Sequence, residues 1–217
     1  MLSTIKIYKA KTPHSYSNNG ALTGVSDRSS SYGRILVNHI LENGHTSNNE
    51  SDNLSVNRYG KPIDLKNRCA DFSISYTTSH TFVAISSSGQ VGIDAEMIDL
   101  IDIPSYELFC TEDEAEYIEH SRNKTASFYE IWTLKEAYLK YLGVGLTQSL
   151  QSISFKIHAD KTVTYTLASS DTFNLLFRLI RDGNIQIAVC YSPNDHLHNS
   201  DNIYTVGLPH NNIDKIE

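Results

Sequence analysis

Along the chain the apolar positions switch between two rhythms. In the first stretch the rhythm is helical: Tyr32, Ile35, Leu36, His39 and Ile40 return every three to four residues, and Gly44 stands where a helix end is capped. This predicts a helix over residues 28–42. Residues 3–9 read as a short extended start, and 46–54 as a polar loop. Pro62 closes a turn after Arg58-Tyr59-Gly60-Lys61. The rhythm then shortens. Residues 81–86 are nearly all apolar from Phe82 to Ile85, the pattern of a strand covered on both faces. Residues 90–98 alternate, with Val91, Ile93, Ala95 and Met97 on one side and Gly92, Asp94 and Glu96 on the other. Gly89 between these two strands predicts a hairpin.

After Pro104 the helical rhythm returns. Thr111 with Glu114 three residues later forms a capping box that opens a helix over 112–119. A longer helix over 127–142 carries the stripe Ile131, Leu134, Tyr138 and Leu142 and stops at Gly143. Strands follow at 152–158, 162–168, 175–181 and 185–191, with Asp182-Gly183 as a hairpin turn. From Ser192 the tail is polar apart from a short apolar run at 203–206. This order predicts an α+β fold of two similar halves, residues 1–100 and 101–217, with a ligand crevice between them.

Composition narrows the class. With 217 residues, 40% of them hydrophobic, the chain can bury a core without a disulfide or metal staple. Cys69, Cys110 and Cys190 are odd in number and far apart, which predicts reduced thiols and a cytoplasmic setting. The start lacks the apolar core of a signal peptide, and no run suits a membrane helix. The net charge of −7, from 18 basic and 25 acidic residues with no basic block, disfavours broad nucleic-acid binding. A polyanion can still bind where a few bases and a divalent cation converge.

Two clusters offer that chemistry. Asp94 and Glu96 leave the same face of one strand, and two hard oxygen donors so placed suit Mg²⁺ held together with substrate phosphates; the plainer alternative is a solvated strand face. Trp132, Glu136 and Lys140 line one side of the long helix, with Lys135 beside them. Taken alone, Glu136 with Lys140 reads better as an ordinary helical surface ion pair.

The strings RYGKP at 58–62, FSISY at 72–76, VGIDAE at 91–96 and WTLKEAYLKYLGVGL at 132–146 add a further constraint. In this order and spacing the sequence resembles the Sfp-type 4′-phosphopantetheinyl transferases. The resemblance implies two α+β halves related by a pseudo-twofold, with coenzyme A in the crevice between them. It implies a Mg²⁺ site at Asp94, Glu96 and Glu136, a nucleotide contact at Lys61, diphosphate contacts at Lys135 and Lys140, and a phosphate contact at Ser75. The next position, a histidine in the family, is Tyr76 here; a phenol donates one hydrogen bond and carries no positive charge. Arg28 lies one position from the arginine expected to meet the 3′-phosphate, with Ser29 on the match. A further family glutamate corresponds to Asp113 or Glu114.

The implied activity is transfer of the phosphopantetheine arm of coenzyme A to a serine of an apo acyl or peptidyl carrier protein. The chain would act as a cytoplasmic monomer, with Glu136 and Lys140 as the catalytic pair and no nucleic-acid or membrane partner. The alternative is a non-catalytic relative that binds coenzyme A or the carrier protein; a metal-dependent phosphohydrolase would show further Asp or His ligands.

Overall fold

The computed structural model describes residues 4–13, 27–42, 53–99, 108–145, 149–168, 174–197 and 203–207, without the side chains of residues 27–30 and 196. In chain order the elements are β1 (Thr4–Lys11), α1 (Asp27–Leu41), β2 (Leu54–Val56), β3 (Pro62–Asp64), β4 (Asp71–Tyr76), β5 (His80–Ser86) and β6 (Val91–Met97). There follow α2 (Glu112–Glu119), α3 (Lys124–Leu142), a 3₁₀ turn at Leu150–Ser152, β7 (Ile153–Ile157), β8 (Val163–Leu167), β9 (Leu176–Asp182), β10 (Ile185–Tyr191), β11 (His196–Leu197) and β12 (Ile203–Thr205).

The α+β class holds, and the elements pack in layers. One sheet runs β11-β1-β5-β4, with β12 also on β1; a second runs β6-β10-β9. Between the two sheets lie Ile5, Ile7, Phe82 and Ala84 from the first and Val91, Ile93, Ala95, Ile185, Ile187 and Val189 from the second. Helix α1 covers the outer face of the first sheet with Tyr32, Leu36 and Val37. Helix α3 covers the outer face of the second with Ile131, Leu134, Ala137 and Tyr138. The apolar run of β5 is explained: Phe82 and Ala84 face the inter-sheet core, and Val83 faces α1.

The hairpin expected at Gly89 does not form. Both edges of β5 are occupied, by β1 and by β4, so the chain leaves the first sheet after Ser86 and β6 pairs with β10 instead. The tail also does more than its polarity suggests, because β11 and β12 add to β1 in parallel. The two sheets therefore exchange strands across residue 100. Helix α2 spans the expected residues, and Glu114 reaches back to accept the Thr111 N–H at 2.8 Å. Among the described residues no helix is long and apolar enough to cross a membrane, and all three cysteines are free.

Candidate active site

The site grows from the way β6 is held. One edge of β6 is bonded to β10. On the other edge the amides of Val91, Ile93 and Ala95 have no strand partner, and side chains of β4 take them: Asp71 Oδ2 at 2.9 Å, Ser73 Oγ at 3.1 Å and Ser75 Oγ at 3.0 Å. A buried amide must be paired, and the period-2 polar series Asp71, Ser73, Ser75 supplies one acceptor per rung. This seam joins the two sheets and fixes β6, so that Gly92, Asp94 and Glu96 face α3. A Cβ at Gly92 would stand 2.0 Å from the Ala137 carbonyl oxygen, so the absence of a side chain brings the helix onto the strand.

That close approach sets α3 side chains against β6. Lys140 Nζ lies 2.7 Å from Asp94 Oδ1 and 3.1 Å from Ser75 Oγ, and Ser75 donates to the same Asp94 oxygen at 3.0 Å. Asp94 and Ser75 are buried, while the Lys140 side chain remains 30% exposed. Asp94 Oδ2 is buried without a hydrogen-bond partner. Glu96 accepts from Trp132 Nε1 at 3.3 Å, and the indole is held edge-on by Phe109 and stacked on Phe128. Burial, reinforced by the charge of Asp94, pushes Glu96 up to about 7 against the pull of Lys140 and Trp132, and Glu136 adds to the rise. Glu136 is raised for the same two reasons, burial first and Asp94 second, with Lys140 opposing. The three carboxylates feel one another's charge around one ammonium group.

Among the described residues no three His, Cys, Asp or Glu side chains form a ready cage for a metal ion. The donor chemistry still fits Mg²⁺, which takes one or two carboxylates and completes its shell with water and substrate phosphates. Asp94 Oδ2 is a bare, buried oxygen of the required kind, and the mutual repulsion of the carboxylates is what a cation would relieve.

The remaining expected residues separate. Lys61 lies in the turn leading into β3, pairs with Asp71 and donates to the Val91 carbonyl at 3.2 Å, so it clamps the β2–β3 hairpin onto the seam. Lys135 does not join this group. It is fully buried on the opposite side of α3, 2.8 Å from Glu114, and donates to the carbonyls of Leu150 and Ile153 at 2.7 Å each. Glu114 also accepts from the Phe155 amide at 2.8 Å, so of the two alternatives Asp113 and Glu114 it is Glu114 that occupies a structural role, tying α2 and β7 to α3. Burial pulls Lys135 below the ordinary lysine range against the lift from Glu114.

Tyr76 stands apart from the Asp94–Lys140 group. Its hydroxyl abuts Gly33 in the middle of α1, and burial raises the phenol despite nearby Arg34. Arg28 lies in the first turn of α1, and its side chain is outside the described residues. Sequence reasoning missed Asp71 and Ser73 as the holders of β6 and Trp132 as the partner of Glu96. The alternation of DFSIS was the available signal for the first two.

The model of the 4′-phosphopantetheinyl transferase superfamily matches residues 90–190, from the seam strand β6 through β10. The chain is 29% identical over 162 residues to the 4′-phosphopantetheinyl transferase ffp of Bacillus subtilis, covering 73% of this chain and 71% of that one. It is 33% identical over 138 residues to the 4′-phosphopantetheinyl transferase gsp of Aneurinibacillus migulanus, where it covers 61% of this chain and 56% of the relative. Among solved structures, the holo-[acyl-carrier-protein] synthase of Thermotoga maritima superposes with a TM-score of 0.42 at 21% identity, over 47% of this chain and 61% of that one.

Proposed function

Because the chain belongs to the 4′-phosphopantetheinyl transferase superfamily, we propose that it transfers the phosphopantetheine arm of coenzyme A to a serine hydroxyl of an apo acyl or peptidyl carrier protein, with adenosine 3′,5′-bisphosphate as the leaving group. The observation that carries this reading is the group on β6 and α3: Asp94 with a bare oxygen, Glu96 and Glu136 beside it, and the partly exposed side chain of Lys140 against them.

Asp94, Glu96 and Glu136 would hold Mg²⁺, which would supply stabilisation of the negative charge that builds on the diphosphate. Lys140 places a fixed positive charge on the same side and can turn from Asp94 to a diphosphate oxygen, because its side chain reaches solvent. Glu136 is the group to take the proton from the carrier serine, as the carboxylate that α3 sets beside Asp94 and Lys140. Lys61 is the nucleotide contact available on this side, shared with Asp71. The three free cysteines support a reducing, cytoplasmic setting, and the chain is read as acting as a monomer.

The test is direct. Purified protein, coenzyme A, Mg²⁺ and a panel of apo carrier proteins are combined, and intact-mass spectrometry reads whether a carrier gains one phosphopantetheine group. Modification of at least one carrier at its serine is expected. Tight coenzyme A binding with no carrier modified would overturn transfer in favour of binding alone, and no coenzyme A binding would overturn both.

A further inference from the structure

We infer that Ser75 is a positioning residue for Asp94 rather than a ligand of a substrate phosphate, an inference that rests on the functional reading above. A serine hydroxyl has one proton and two lone pairs. Here all three are used inside the protein. One lone pair takes the Ala95 amide at 3.0 Å, the other takes the Lys140 ammonium at 3.1 Å, and the single proton goes to Asp94 Oδ1 at 3.0 Å. The residue is buried at 2% exposure. A phosphate oxygen needs a donor, and this hydroxyl has none left to give.

The consequence falls on Asp94. Carboxylate rotation about its last torsion is soft, and Lys140 alone could sit on either oxygen. Ser75 and Lys140 converge on Oδ1, which leaves Oδ2 as the bare one. Because the Ser75 oxygen is itself anchored to the backbone of β6, at the residue next to Asp94, the orientation is tied to the strand that carries the carboxylate. The seam also provides a control. Ser73 makes the equivalent rung to Ile93, whereas the serine hydrogen bond to Asp94 comes from Ser75.

The experiment compares the wild-type protein with Ser75→Ala, Ser75→Thr and Ser73→Ala. Isothermal titration with Mn²⁺ alone measures metal affinity, and steady-state kinetics at saturating Mg²⁺ gives the KM for coenzyme A. Loss of an orienting partner typically weakens a metal site 10–100-fold, so Ser75→Ala is expected to lose about that factor in Mn²⁺ affinity, with the KM for coenzyme A within about twofold of wild type. Ser75→Thr, which restores the hydroxyl, should recover the affinity, and Ser73→Ala should keep it. A raised KM for coenzyme A with unchanged Mn²⁺ affinity would overturn the inference and make Ser75 a phosphate contact. Equal losses in Ser73→Ala and Ser75→Ala would reduce Ser75 to a seam residue, and a wild-type protein that binds no Mn²⁺ would also overturn it. If the wild-type protein proves inactive toward every carrier, the functional reading fails while the Mn²⁺ titrations still decide the role of Ser75.

Discussion

Gly92 and Ala137 touch backbone to backbone: a Cβ on Gly92 would fall 2.0 Å from the Ala137 carbonyl oxygen and 2.5 Å from the Tyr141 amide nitrogen. Neither obstacle is a flexible side-chain end, so the helix as a whole would have to move. Glu136 precedes this contact by one residue, and Lys140 lies one turn further along the helix. The Gly92→Ala variant should therefore lose about 2–4 kcal/mol in urea denaturation. Its residual folded fraction should turn over far more slowly, since displacing reacting groups by about 1 Å can cost 100-fold. Gly207→Ala, where no atom lies within 4 Å of the new Cβ, is the silent control.

Tyr76 and Gly33 form a second interlocked pair. A Cβ on Gly33 would stand 2.1 Å from the phenol oxygen, so the tyrosine occupies a notch in α1 that only glycine leaves open. Gly33→Ala alone should cost about 1–3 kcal/mol through overpacking. In a Tyr76→Ala background the clash is gone and the better helix former should be neutral or stabilising by up to about 1 kcal/mol. A double-mutant cycle by thermal or chemical unfolding reads the coupling; additive effects would show that the phenol does not lie in the notch in solution.

How much of this could be read beforehand depended on whether a residue's partners were near in sequence. The α2 cap, with Thr111 and Glu114 in one turn, was legible, as were the alternation of β6 and the Asp182-Gly183 turn. Strand β4 was hidden, because its alternate polar residues point inward to the edge of another strand rather than to water. The Gly89 turn looked like a hairpin because nothing local reveals that β1 and β4 already occupy both edges of β5. Lys135 parts from its helix neighbours for a simpler reason. Neighbouring residues on a helix point about 100° apart, so Glu136 and Lys140 share a face while Lys135 turns into the core toward Glu114.

The buried pair makes Lys135 a stability residue. Lys135→Met leaves Glu114 buried with two amide donors and no counter-charge, a change expected to cost about 3–5 kcal/mol. Adding Glu114→Gln should recover much of that loss. In protein that remains folded, coenzyme A affinity by titration should match wild type. A selective loss of coenzyme A affinity without loss of stability would return Lys135 to the ligand site.

Asp94→Asn separates function from stability in the opposite way. The substitution keeps shape and removes the charge that Lys140 pairs with and that raises both Glu96 and Glu136. Turnover should fall by about 100-fold or more, because one hard metal donor becomes a neutral amide. Stability in metal-free buffer should hold or rise, since the like-charge repulsion within the carboxylate group is reduced. The sign with pH follows from the raised groups. Glu96, lifted from 4.5 to about 7 in the folded protein, favours folding fully below its unfolded value, and that contribution is lost as pH rises through about 7. Removing Asp94 should shrink that loss. The Asn variant should therefore gain on wild type as the buffer moves from acid to mildly alkaline, read as the difference in denaturation midpoints across that range. A gap that is constant with pH would mean that Asp94 and Glu96 do not share one electrostatic site.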